Sequence, residues 1–185
     1  QYQEHSPSEH EHIRAWQQAF TQFGAKPKKY LCSAEALLKR AVSGNEIPAI
    51  NRVVDIYNAV SIRWAIPAGG EDWDRLQSDL TLTSAAGSEP FITRNANGEQ
   101  IDFPKSGEII WADEAGATVR MWNWRQCYRT RVTEETRNIY FVLDRLEPYP
   151  RSSLFAATDE LCNHLLQLSP QCRIQTEIFE AARTV

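Results

Sequence analysis

The stretch Asn51–Gly70, NRVVDIYNAVSIRWAIPAGG, contains the point at which the sequence changes from a helical pattern to a strand-like one. Its apolar residues recur every three or four positions, which predicts a helix with one buried face: Val53, Tyr57, Val60 and Trp64. The β-branched residues in the same stretch leave a strand as the alternative. The turn-forming residues 67–70, Pro-Ala-Gly-Gly, end the helical pattern.

Two further helices are predicted before this stretch. Residues 6–9, Ser-Pro-Ser-Glu, form a helix-start signal, and the apolar residues that follow share one face up to a stop at Gly24: Ile13, Trp16, Phe20 and Phe23. Ser33 is placed to cap a second helix that ends at Gly44. The predicted buried residues of this second helix are Leu37, Leu38 and Ala41.

The chain after Gly70 is dominated by short β-branched runs. They are separated by Gly and Asn turns and lie at 80–83, 108–111, 117–122 and 139–143. Residues 153–168 return to a helical pattern. Helices followed by strands predict an α+β fold, with a mostly antiparallel sheet or barrel-like sandwich and helices packed against it. We expect one domain over residues 1–185, in which 150–185 forms a C-terminal helix and tail.

Composition excludes several classes of protein. The chain has 185 residues, 42% of them hydrophobic, which is enough to bury a core. No apolar run approaches the ~20 residues that a membrane-spanning helix needs. The net charge of −4 argues against a protein that coats nucleic acid, although it allows a local basic patch. Four scattered cysteines without a C-x-x-C pair predict reduced thiols in a cytoplasmic protein: Cys32, Cys127, Cys162 and Cys172.

The histidines give little support to metal or nucleophilic chemistry. His5, His10 and His12 lie among glutamates, but His10 and His12 are two positions apart and cannot share a helical face. We expect a solvated helix start and no metal site there. His164 lies within the C-terminal helical pattern, so a catalytic triad would have to include that helix, which is unfavourable for a nucleophilic hydrolase.

Two segments are basic within an acidic chain. Residues 24–40 carry five basic residues against one acidic residue, and 120–137 carry five against two. In the second segment, aromatic residues alternate with arginines, a composition suited to phosphate contacts and stacking on unpaired bases. The alternative is a strand with one solvated basic face and one buried aromatic face.

A row of short polar side chains lies within the predicted third helix. Asn51, Asp55 and Asn58 share one face, and Ser61 continues the polar set. Such a row either lines a polar pocket or bonds neighbouring backbone. The predicted loop at 69–72, Gly-Gly-Glu-Asp, adds permissive backbone and two carboxylates.

The segment Ile47–Asn58 resembles the "P-x-x-N-x-V-V-D-x-x-N" segment of the B3/B4-type editing domain in the phenylalanyl-tRNA synthetase β subunit. The similarity continues at Pro67 and Asp72 and over 133–138. The segments 28–37 and 122–126 look closer still to free-standing proteins of this family. The resemblance covers about Gly24 to Leu143, and it implies that the N-terminal part of the family domain is missing from this sequence.

This resemblance implies removal of a wrongly attached amino acid from tRNA. Hydrolysis of that ester requires a positioned water, a stabilised oxyanion and oriented ribose hydroxyls, without a metal or a protein nucleophile. We therefore expect an enzyme that acts in trans on misacylated tRNA, without a cofactor, membrane contact or obligate protein partner.

Residue roles are predicted from the resemblance together with the polar row and the basic segments. The predicted catalytic residues are Asn51, Asp55, Asn58 and Ser61, of which Asn51 matches a family position that holds substrate. The residues predicted to contact the amino acid are Gly69, Gly70, Glu71, Asp72 and Tyr128. The residues predicted to contact tRNA are Lys28, Lys29, Arg125 and Arg129.

Departures from the family pattern suggest the substrate. Gly69 stands where the synthetase domain has a histidine, Glu71 where it has a phenylalanine, and Tyr128 where it has a carboxylate. A roomier and more negative pocket favours a guanidinium group, so the hypothesis is a deacylase for an arginine analogue such as canavanyl-tRNA-Arg. In the alternative, Glu71 and Asp72 point to solvent.

Two other functions remain open. A catalytically inactive tRNA- or RNA-binding module of the same fold is consistent with the missing histidine position. A small-molecule esterase or amidase is disfavoured because the sequence contains no sign of an activated nucleophile.

Overall fold

The computed structural model describes residues 6–180. Within this range lie four α-helices: α1 Glu11–Gln22, α2 Ser33–Val42, α3 Arg52–Trp64 and α4 Arg151–Leu168. Eight strands lie between α3 and α4: β1 Ala68–Asp72, β2 Thr81–Ser84, β3 Phe91–Asn95, β4 Gly98–Asp102, β5 Ile109–Asp113, β6 Gly116–Arg120, β7 Arg125–Gln126 and β8 Ile139–Leu143. No helix in the described range is long and apolar enough to cross a membrane.

All strand pairs are antiparallel and form three sheets. β1 and β8 make a two-stranded ribbon, β2, β5, β6 and β7 make a four-stranded sheet in that order, and β3 and β4 make a hairpin. The predicted α+β class with antiparallel pairing is confirmed, and the sheets of the described residues are open and do not close into a barrel.

The core consists of three apolar clusters. α3 packs on one face of the ribbon, where the Tyr57 ring meets Phe141, and α4 packs against α3 in the same cluster. α1 and α2 form a second cluster around Trp16 and Leu38, and the third lies beneath the four-stranded sheet. Because the helices cover only one face of the ribbon, its other face is turned toward the four-stranded sheet.

α1 begins later than predicted. Pro7–Glu9 forms a separate 3-10 turn, and His10 caps α1 by accepting a hydrogen bond from the His12 amide at 3.2 Å. The prediction of a solvated helix start is wrong at His12, whose side chain is fully buried. His12 Nδ1 lies 2.8 Å from the Ala65 carbonyl, and this tertiary contact has no counterpart in the local pattern. His5 lies outside the described residues.

α2 and α3 are confirmed as helices, so the alternative of a strand at α3 is wrong. Ser33 is the first residue of α2 and makes no capping bond; the capping position belongs to Cys32. Of the predicted buried residues Leu38 is fully buried, whereas Ala41 is exposed because it lies in the last turn, where α2 extends past its packing partners.

The prediction of a loop at 69–72 is wrong, because these residues lie within strand β1, Ala68–Asp72. Its sequence, Ala-Gly-Gly-Glu-Asp, has no strand pattern. The strand forms because β8 supplies an antiparallel partner for every one of its residues.

Candidate functional site

A pocket of about 180 Å³ lies between the β1–β8 ribbon and the four-stranded sheet. Directly opposed residues of an antiparallel pair share a face of the sheet. Gly70 is opposed to Phe141, and Phe141 packs on Tyr57 of α3 with ring centroids 6.2 Å apart. The adjacent pairs must point to the other face, which is the pocket side: Gly69 with Val142, and Glu71 with Tyr140.

The two glycines of β1 differ in what a side chain at their position would contact. A Cβ added at Gly69 would have no atom within 4 Å, so the missing side chain leaves this wall of the pocket open. A Cβ at Gly70 would lie 3.0 Å from the Phe141 ring and 3.2 Å from the Tyr57 ring. Gly70 therefore allows close packing under α3, whereas Gly69 leaves open space in the pocket wall.

The two carboxylates that follow are both buried, so the alternative in which they point to solvent is wrong. Burial raises the pKa of Glu71 to about 7, although the hydroxyls of Thr118 and Thr130 favour its charged form. Its Oε2 forms no hydrogen bond within the described residues. Asp72 lies on the other face, where Oδ2 accepts a bond from Thr136 Oγ1 at 2.7 Å. Of the two, Glu71 alone lines the pocket.

Asp144 also lines the pocket, and the sequence analysis missed it. It follows β8 and continues the alternation of Tyr140 and Val142 on the pocket face. Its oxygens accept bonds from Trp122 Nε1 and Asn123 Nδ2, each at 3.3 Å. Burial raises its pKa to about 6, against the effect of these two bonds. A single aspartate after an apolar strand carries no local signal that could have identified it.

The loop between β6 and β7 forms a second wall and has an unusual backbone. Met121 and Trp122 both have left-handed φ values, 47° and 63°, which are rare outside glycine. The loop is held by the Trp122 amide bonded to the Ile109 carbonyl at 2.7 Å and by the Ser33 amide bonded to the Asn123 carbonyl at 3.1 Å. Backbone strain of this kind is concentrated at functional sites.

Of the four predicted catalytic residues, the structure brings Asn58 to the pocket. The other three side chains bond to backbone. Asn51 caps α3 by accepting a bond from the Val54 amide at 3.0 Å. Asp55 accepts a bond from the Ile50 amide at 3.0 Å, and the Ser61 hydroxyl donates to the Ile66 carbonyl at 2.7 Å. These three residues therefore shape the ends of α3 and do not line the pocket.

Tyr128 and Arg129 also lie away from the pocket lining. The Arg129 guanidinium makes a bidentate pair with Asp113, with distances of 2.9 and 2.6 Å. The Tyr128 ring lies under Arg131, whose guanidinium is 3.3 Å from the ring centroid, and its hydroxyl accepts a bond from Arg94. Both side chains are committed to contacts within the protein, which a basic-aromatic pattern alone does not reveal.

The remaining predicted tRNA contacts lie at the surface near the pocket. Arg125 is exposed, lines the pocket and has no ion pair among residues 6–180. Lys28 and Lys29 are exposed, and Lys29 lies 5.1 Å from the centroid of Tyr30. Tyr30 in turn packs edge-on against the pocket residue Trp124 at 4.8 Å. We call Lys28, Lys29 and Arg125 the basic rim.

The described residues include no group of three His, Cys, Asp or Glu side chains placed to hold a metal ion. The four cysteines are free thiols, and Cys32 and Cys127 are buried. Burial raises the pKa of Cys32 to about 12, so this thiol stays protonated at neutral pH.

Fold and site together define an α+β domain with a polar and aromatic pocket between two open sheets. Comparison with known families shows that residues 15–159 match the B3/4 domain. Since the match covers most of the chain, the protein belongs to the B3/4 domain family. B3/4 domains are associated with tRNA binding and editing in phenylalanyl-tRNA synthetase. No curated protein matches the sequence.

Proposed function

We propose that this protein is a trans-editing aminoacyl-tRNA deacylase, which hydrolyses the ester of a misacylated tRNA. The main support for this function is the position of the pocket, which lies between the two sheets and beside the basic rim. A pocket takes a small group, and a cationic surface beside it binds the phosphates of the nucleic acid that carries this group. Membership of the B3/4 domain family supports the same conclusion.

Different residues around the pocket bind the tRNA and orient the ester. The basic rim binds the phosphates of the acceptor end, and Trp124 offers a ring on which an unpaired base can stack. The Asn58 side chain forms no hydrogen bond within the described residues and lines the pocket, so it can orient the attacking water or the ester oxygen. No step requires a nucleophilic side chain, because the ester is already activated.

We further propose that the amino acid removed is an arginine analogue such as canavanine, attached to arginine tRNA. Glu71 is a pocket residue whose buried Oε2 has no hydrogen-bond partner among the described residues, and a guanidinium-like group would supply one. The pKa of Glu71 is about 7, so its charge changes near neutral pH, and the guanidinooxy group of canavanine is far less basic than the guanidinium of arginine. Protonation and hydrogen bonding can therefore separate canavanine from the more basic arginine.

The direct test measures release of amino acid from tRNAs carrying canavanine, arginine, tyrosine or threonine. We expect fastest release of canavanine, loss of this preference in Glu71→Gln, and a retained preference in Asp72→Asn, since Asp72 faces away from the pocket. A preference for a neutral amino acid would contradict recognition of a cationic side chain by Glu71, while the proposal of a deacylase would still hold. Failure to release any amino acid would contradict the deacylase itself.

The second candidate is a catalytically inactive tRNA-binding module. It is favoured by the three predicted catalytic side chains that bond to backbone, and by Gly69 at the family's histidine position. Binding of the tRNA panel without release would identify this function.

Two arginine variants, Arg125→Ala and Arg129→Ala, test which residues bind tRNA. Arg125→Ala should weaken binding and flatten its salt dependence, because an exposed phosphate contact is lost. Arg129→Ala should leave the salt dependence unchanged and lower stability by about 2–4 kcal/mol, because Asp113 would stay buried without its cation. Filter binding across a salt series measures the first effect, and chemical denaturation measures the second. Equal effects on binding would contradict the basic rim.

A further inference from the structure

Asp144 is a carboxylate that lines the pocket without a cation. Its two oxygens accept bonds from neutral donors, the Trp122 indole and the Asn123 amide, and both distances of 3.3 Å are long for bonds to a charged acceptor. None of the ion pairs formed among residues 6–180 involves it. A carboxylate offers about four acceptor positions, so two remain unused. A half-buried carboxylate without a cation is costly to a fold, which indicates a role outside packing.

The space beside Asp144 is open. Val142 precedes it on the same face of β8, and the residue opposite Val142 is Gly69, where a Cβ would have no neighbour within 4 Å. With a pKa of about 6, Asp144 is mostly ionised at neutral pH. The site therefore combines a negative charge with room for a small cationic group.

The donors that hold Asp144 come from the strained loop between β6 and β7. Met121 and Trp122 adopt the left-handed conformation, and Trp122 and Asn123 supply the two bonds to the carboxylate. Trp122 is also fixed by an edge-on contact with Trp16 at 5.2 Å. The strained backbone thus fixes the carboxylate at the pocket wall.

We propose that Asp144 binds the α-ammonium group of the amino acid, so that the pocket accepts aminoacyl esters with a free α-amino group and rejects N-acylated esters. The identity of the ligand rests on the proposed function. An α-ammonium group lies two bonds from the ester carbonyl, so an ion pair at this point also places the bond to be hydrolysed. A peptidyl ester has an amide at the same position and offers no cation.

The two pocket carboxylates are spaced for a basic amino acid. Glu71 is opposed to Tyr140, and Asp144 lies four residues beyond Tyr140, which corresponds to about 13 Å along an extended strand. A long amino acid with a cationic group at each end can therefore contact Asp144 through its α-ammonium and Glu71 through its side chain.

The experiment uses two ligands that cannot be hydrolysed: 3′-(canavanylamino)-3′-deoxyadenosine and its N-acetyl derivative. Calorimetric titration of the full chain should give about tenfold to a hundredfold tighter binding of the free amine, in line with a charged hydrogen bond. Asp144→Asn should bind both ligands with similar affinity. Asp72→Asn is the control, since it neutralises a buried carboxylate that faces away from the pocket and should keep the preference.

Two results would overturn the inference: equal affinity of the parent for the two ligands, or an unchanged preference in Asp144→Asn. The first comparison uses the parent alone, so the test does not depend on the folding of a variant. Because neither ligand can be hydrolysed, a preference for the free amine in a protein that releases no amino acid from tRNA would refute the deacylase and support this site.

Discussion

At the scale of single residues, the adjacent glycines of β1 separate function from stability. Gly69→Val places a side chain in open space on the pocket face, and valine suits a strand. We expect this variant to keep the melting temperature of the parent and to lose at least tenfold of its deacylation rate, because the aminoacyl group is excluded. Thermal unfolding and release of amino acid from canavanyl-tRNA measure the two effects.

Gly70→Ala is the matched control on the opposite face. Its methyl group would lie 3.0 Å from Phe141, so the variant should lose about 1–3 kcal/mol of stability through overpacking, with the pocket unfilled. A Gly69→Val protein that retains full deacylation would show that the ligand does not occupy this space.

At the scale of the element, α3 carries one polar row with two roles. Asn51→Ala removes the helix cap and should cost about 1–2 kcal/mol of unfolding free energy, most of which Asn51→Ser should restore, since serine also caps helices. Asn58→Ala, seven residues along the same helix, should leave stability unchanged and lower deacylation, since its side chain faces the pocket. Denaturant unfolding combined with single-turnover deacylation checks both. Loss of stability in Asn58→Ala would place it with the structural residues.

At the scale of the whole molecule, buried His12 joins three elements. Its Nδ1 must donate to the Ala65 carbonyl, because a carbonyl can only accept, and its Nε2 accepts bonds from Trp16 Nε1 and the Leu146 amide, both at 3.1 Å. Burial lowers the pKa of His12 to about 4. The neutral ring therefore connects α1 to the end of α3 and to the chain after β8.

This depressed pKa makes stability depend on pH. Between pH 6.5 and 4 the unfolded chain binds a proton at His12 and the folded protein does not, so the contribution of His12 falls by about 3 kcal/mol as the pH falls. Glu71 and Asp144 have raised pKa values and act in the opposite direction. The measurement is therefore the stability difference between the parent and His12→Gln at each pH. This difference should narrow toward pH 4, and a constant difference would contradict the assignment.

Short-range patterns in the sequence were sufficient to predict several features of the fold and of the site. The positions of α3 and α4, the runs that became β2, β5, β6 and β8, and the α+β class all follow from apolar spacing and turn residues. The segments that resemble the B3/B4 editing domain, such as Ile47–Asn58, indicated the family that the comparison shows. Asn58, Gly69, Gly70, Glu71 and Arg125 were all predicted and line the pocket, Gly70 through its backbone alone because its side-chain position faces Phe141 and Tyr57.

Which polar residues face the pocket depends on the tertiary structure. Asn51 and Asn58 have the same side chain on the same predicted face, yet one caps a helix and the other meets the pocket. Asp144 enters the site and Asp72 leaves it because the antiparallel register of β1 and β8 assigns alternate residues to opposite faces. That register depends on a partner strand whose paired residues lie 67 to 75 positions away in the chain. A local pattern contains no information about a partner at that distance, so the site emerges only when the ribbon pairs.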